Sequence, residues 1–138
     1  MKQIIVILLI SLTAAACAHR VPYRNERPAT PFPPAHELIP KCQIAVQFNE
    51  DETSVPESDY LDGMFCLGFM EGILGTNTAV YANSPDAVLF CVPEPGIKTW
   101  IAAKAIVEFA AERPDLLDLV ETEFAIKALA AKYPCMSR

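Results

Sequence analysis

The sequence predicts an all-α fold: a small disulfide-stapled bundle of about four helices behind a signal peptide and a Pro-rich linker. Three observations support this. Helical apolar spacing recurs through the last hundred residues, strand-type alternation is nowhere convincing, and four cysteines fall within or beside the helical stretches. The chain has 138 residues, 52% of them hydrophobic, with a net charge of -6.

At the amino terminus, Lys2 precedes an apolar run from Ile4 to Ile10, followed by Ser11-Leu12-Thr13-Ala14-Ala15-Ala16-Cys17. This reads as an export signal over residues 1–17, because a membrane-spanning helix needs roughly 20 apolar residues. Five cysteines, at 17, 42, 66, 91 and 135, leave one unpaired in an oxidising compartment, and Cys17 is the odd one out. Two outcomes stay open. Ala15-Ala16-Cys17 fits a lipoprotein box, with Ala14 where Leu is usual, so Cys17 would carry a lipid; cleavage after Ala18 would instead discard it. Residues 18–37 form the linker. Pro22, Pro28, Pro31, Pro33 and Pro34, with Pro40 beyond, bar a regular helix or central strand.

Residues 38–138 are the size of one small domain with one core. A short helix is expected from Glu37 or Lys41 to Phe48. A long one follows from Glu57 or Ser58 to Tyr81, with Leu61, Phe65, Phe69, Ile73 and Val80 at helical spacing. The clearest runs from Ile97 to Glu112, its charges Lys98, Lys104, Glu108 and Glu112 on one arc and Trp100, Ile101, Val107 and Phe109 among the rest. Pro114 stops it, and Asp115 opens a last helix through Leu117, Val120, Phe124, Ala128 and Ala131, which Pro134 ends.

If the last two helices form an antiparallel hairpin, Cys91 before it and Cys135 after it come together, which predicts a disulfide. Cys42 is then left to pair with Cys66 across the acidic loop; swapped pairings stay open at this level. Each bridge closes a loop of tens of residues, worth about 3 to 4 kcal/mol by chain entropy. Gly68, Gly72 and Gly75 sit inside the long helix at a cost of roughly 1 kcal/mol each relative to Ala. They are expected to permit a close crossing with the Trp100 helix; the alternative is a smooth face for a partner or twin subunit.

No catalytic constellation is present. His19 and His36 lie in the leader and linker, so the domain's serines lack a histidine to activate them, and disulfide-bonded cysteines are unavailable as nucleophiles. No phosphate loop or zinc spacing occurs. The stretch Asn49 to Asp59 lacks the alternating ligands and central glycine of a calcium loop. The chain reads as non-enzymatic, with no metal and no cofactor. Charge is more informative. Between Cys42 and Ile97 stand nine carboxylates, among them Glu50, Asp51, Glu52, Glu57 and Asp59, and no Lys or Arg. That sign excludes nucleic acid. It suits either a solubilising face or a complement to a basic partner.

The string Cys66-Leu-Gly68-Phe-Met-Glu-Gly72, together with Phe90-Cys91-Val-Pro93, Arg113-Pro114 and Tyr133-Pro134-Cys135, resembles the Rap/Tai family of type VI secretion immunity proteins. The resemblance spans nearly all of residues 38–138. It implies a small helical periplasmic protein, often dimeric, that binds a peptidoglycan-cleaving amidase effector and blocks its groove. Matched position by position, it gives Cys66, Cys91 and Cys135 to disulfides and Gly68 and Gly72 to helix packing, and leaves the inhibitory surface unassigned. The segments expected to inhibit are the acidic loop Asn49 to Asp59, favoured for its charge, and the connection Thr76 to Leu89. With lipidation at Cys17 the protein would sit on the outer membrane. A rival reading is an acid-stress chaperone similar to the small helical HdeA-type proteins, and a third is an orphan envelope lipoprotein.

Overall fold

The computed structural model describes residues 32–135. The expected signal, Cys17 and the linker up to residue 31 lie outside them. Four helices follow in order: α1 (Ala35–Glu50), α2 (Tyr60–Asn83), α3 (Thr99–Glu112) and α4 (Glu121–Lys132), with short 3-10 turns at Glu52–Ser54, Glu57–Asp59, Pro85–Ala87 and Pro114–Leu116. Among the described residues no strand forms, and Pro34 and Val120 make a single antiparallel bridge. The four-helix, all-α expectation holds.

α1 and α2 pack as an antiparallel pair. Cys42 bonds Cys66, Gly63 sits over Ala45, and the Phe48 and Tyr60 rings meet edge to face at 5.2 Å. These contacts advance along one helix and retreat along the other in steps of three, nearly one helical turn. Gly63 makes the closeness possible: a Cβ built there would lie 3.1 Å from Ile44 Cγ2 and 3.5 Å from the Ala45 nitrogen. This corrects the expectation for Gly68, Gly72 and Gly75. All three face outward, and a Cβ on any of them meets nothing within 4 Å. The tight crossing is thus with α1 rather than the Trp100 helix.

α1 begins earlier than expected and runs through Pro40. Proline inside a helix removes one backbone bond, so something else must hold the first turn. The Ala35 and His36 N–H groups donate to the Leu119 and Leu117 carbonyls, at 2.8 and 3.0 Å, and Ala35, Leu38 and Cys42 are completely buried. Pro33 and Pro34 therefore belong to the folded unit. The same bonds explain why the last helix starts late. Within a continuous helix the Glu121 N–H would donate to the Leu117 carbonyl; here it donates to Pro33 at 3.0 Å, because His36 has taken Leu117. Residues 117–120 consequently form a loop, and α4 begins at Glu121 rather than near Asp115.

The core gathers Leu38, Cys42, Cys66, Met70, Phe90, Ile106, Phe124 and Leu129, all essentially inaccessible. α3 and α4 meet through alanines and the edge-to-face pair Phe109–Phe124. The second bridge, Cys91–Cys135, closes behind them, supported by Cys91 N–H donating to the Tyr133 carbonyl at 2.9 Å. Both disulfides match the sequence expectation.

The two kinds of glycine should behave oppositely. Gly63→Val forces α1 and α2 apart and is expected to cost about 1–3 kcal/mol, whereas Gly72→Ala gains up to about 1 kcal/mol of helix propensity in open space; urea denaturation distinguishes them. Glu121 yields a pH prediction. Its carboxyl is held above the usual range by partial burial and then by the nearby Glu37. A raised carboxylate pKa means the charged form is disfavoured in the folded state, a cost fully present above the folded pKa and relieved as pH falls through it. Glu121→Gln is expected to raise Tm at pH 7, with the gain over the parent vanishing by about pH 4, near the free Glu pKa.

Candidate functional site

The acidic segment between α1 and α2 is built, not loose. Asp51 accepts from the Thr53 N–H at 3.0 Å and the Thr53 hydroxyl at 2.7 Å, and its carbonyl accepts from the Ser54 hydroxyl at 2.7 Å, which starts the first 3-10 turn. Val55 turns inward between the two turns, 6% exposed. Asp59 N–H donates to the Pro56 carbonyl at 2.9 Å, closing the second turn. The Cys42–Cys66 bridge holds the helices on either side. The expected irregular loop is therefore a rigid double turn whose shape is set by an apolar pin and an Asp side chain.

The five acidic candidates divide by role. Glu50 closes α1 and pairs with Lys104 of α3 at 2.7 Å, and that hydrogen bond, reinforced by the charge itself, holds the Lys104 ammonium above its ordinary pKa. Asp51 is engaged in its turn. Glu52 lies in the same turn. Glu57 is exposed, and Asp59, half-buried, accepts from the Ser58 hydroxyl at 2.8 Å. Asp62, the third residue of α2, is bound by Lys41, so the chain's own cations cover Glu50 and Asp62. Among the described residues no cation lies within 4.0 Å of Asp51, Glu57 or Asp59. Sequence reading missed Lys41 and Lys104, which stand 21 and 54 residues from their partners.

The other expected inhibitory segment, Thr76 to Leu89, is corrected in part. Thr76 to Asn83 are the last two turns of α2, and the irregular connection runs from Ser84 to Lys98. Buried Asn77 fastens it: its side-chain amide donates to the Phe90 carbonyl at 2.9 Å and its oxygen accepts from the Leu89 N–H at 3.2 Å. Composition alone did not mark Asn77, since an Asn in a helix usually faces solvent.

No three His, Cys, Asp or Glu side chains converge on a metal-sized point among the described residues. None of the described helices is long and apolar enough to cross a membrane. Among the described residues no buried side-chain polar atom lacks a partner. What the surface offers is shape, apolar groups and negative charge, the materials of a binding scaffold.

The described residues form a helical scaffold stapled by two disulfides, with an acidic double turn between α1 and α2. The family model of the Rap1a immunity proteins matches residues 35–135, and the chain belongs to that family. No curated protein and no solved structure matches it.

Asn77→Ala leaves the Leu89 N–H and Phe90 carbonyl without partners and is expected to cost about 1–3 kcal/mol. Hydrogen exchange should show the Leu89 amide losing protection while amides in α1 keep theirs.

Proposed function

We propose that the protein is a periplasmic immunity protein that binds a basic peptidoglycan-amidase effector of type VI secretion and occludes its groove with the acidic double turn. The family membership supports the immunity role. The observation that carries the surface assignment is the rigid turn between α1 and α2, which presents Asp51, Glu57 and Asp59 without a neighbouring cation among the described residues. An inhibitor needs no chemistry of its own. It needs a segment that keeps its shape when it enters a cleft, since ordering a loose loop on binding subtracts from affinity. Negative charge on that segment accelerates encounter with a positive partner and disfavours partners of like sign. The compartment follows from the export signal read in the first 17 residues, and attachment through Cys17 would hold the protein at the outer membrane.

The test is affinity and association rate against the amidases secreted by the same cells. The parent is expected to bind one of them and suppress its hydrolysis of peptidoglycan. Glu57→Lys with Asp59→Lys should slow association about tenfold or more at low salt, the difference shrinking as salt is raised. Binding unaffected by the reversals discards the turn as the contact; no amidase bound discards the inhibitor reading. Capture of many unfolded proteins only at acid pH would instead mark a chaperone.

A further inference from the structure

We propose that the apolar patch at the start of α2 is an anchor site for one apolar side chain of a partner flanked by basic residues. The site follows from this chain's geometry; only the partner's identity rests on the immunity reading above.

Leu61, Met64 and Phe65 are 82%, 59% and 50% exposed. Their spacing places them on one face of α2. A single exposed leucine is ordinary, but three large apolar side chains side by side mark an interaction surface. Met64 joins this patch to a hollow of about 60 Å³ between α1 and α2, which it walls together with Phe48, Val55, Tyr60, Gly63 and Leu67. Gly63 belongs to both the crossing and the hollow, because a larger residue there would displace Ile44.

The rim decides the occupant. The turn Glu57–Asp59 leads directly into Tyr60, and Glu71 is exposed farther along the helix. Lys41, 5.4 Å from the Phe65 ring centre, is committed to Asp62. A second copy related by a two-fold axis would bring one acidic rim against another, and an anionic lipid surface would be repelled in the same way. An apolar side chain laid on Leu61 and Met64 with only its tip in the hollow, between lysines or arginines, satisfies both the patch and the rim.

The experiment uses methyl-labelled protein titrated with Lys-Lys-X-Lys-Lys peptides in which X is Leu, Phe or Ser. The Leu and Phe peptides are expected to shift the Val55, Leu61, Met64 and Leu67 methyl signals saturably, and Leu61→Ser with Met64→Ser should weaken binding about tenfold or more. Both variant positions are solvent-exposed, so the fold is retained. Equal shifts with the Ser peptide, or shifts confined to other residues, overturn the anchor. So do shifts of these methyls with protein concentration alone, which would mean a second copy occupies the face. The amidase itself is then tested against parent and double variant. Parent binding with no loss in the variant overturns the anchor while leaving the immunity reading intact. No binding by the parent refutes that reading and leaves the peptide result standing.

Discussion

The antiparallel crossing of α1 and α2 depends on the absence of a side chain at Gly63 and on the covalent link from Cys42 to Cys66 one turn away. With the backbones this close, Phe48 reaches Tyr60, Val55 finds a seat between the helices, and the connecting residues must fold into two compact turns. The rest of the domain is arranged around the same helix. α1 packs on α2, α3 and α4, so its position transmits the geometry of the crossing to the whole core. At its far end the loop before α4 supplies the carbonyls that cap its first turn. A proline in mid-helix is tolerated because burial and these borrowed acceptors hold the helix on both sides of it.

The ion pairs are secondary to this frame. Lys104–Glu50, Lys132–Glu108 and Arg113–Asp115 are surface pairs with roughly half of each side chain exposed, and pairs of that kind contribute about 0–1 kcal/mol. Their greater effect is on the charge pattern. Lys41 and Lys104 neutralise the two ends of the acidic segment and leave its middle negative, so the field that a partner meets is narrower than the composition suggests. Arg113 with Asp115 straddles Pro114 and fixes the break between α3 and the loop that caps α1.

Helix existence and disulfide pairing were legible in the sequence because both rest on near-neighbour order: apolar spacing marks a helix, and a hairpin returns its own ends. The boundaries were less so. The late start of α4 comes from Pro33 and His36, more than eighty residues upstream, which take the backbone partners a helix through Leu117 would have needed; no local pattern encodes such a competition. The glycines show the same limit. Four lie within α2 and composition treats them alike, yet only Gly63 meets another backbone, since which face of a nearly uniformly apolar helix turns inward is decided by packing. For the candidate site, the sign and place of the charge were readable from an uninterrupted run of carboxylates. The rigidity of the turn was not, because it depends on Val55 pointing inward, and the apolar patch beside it read as core at helical spacing.

The two ends of α1 differ in what they carry. The chain enters the domain at Pro33 and Pro34, beside the loop before α4, while the acidic turns lie beyond Glu50, sixteen residues on. At 1.5 Å per residue that separates them by about 24 Å. A chain held by its leading segment would therefore be gripped at one pole of the domain and would present its negative turn at the other. Reach toward an incoming protein would be set by the length of α1 as well as by the leader, and lengthening the leader would move the acidic pole without altering its shape.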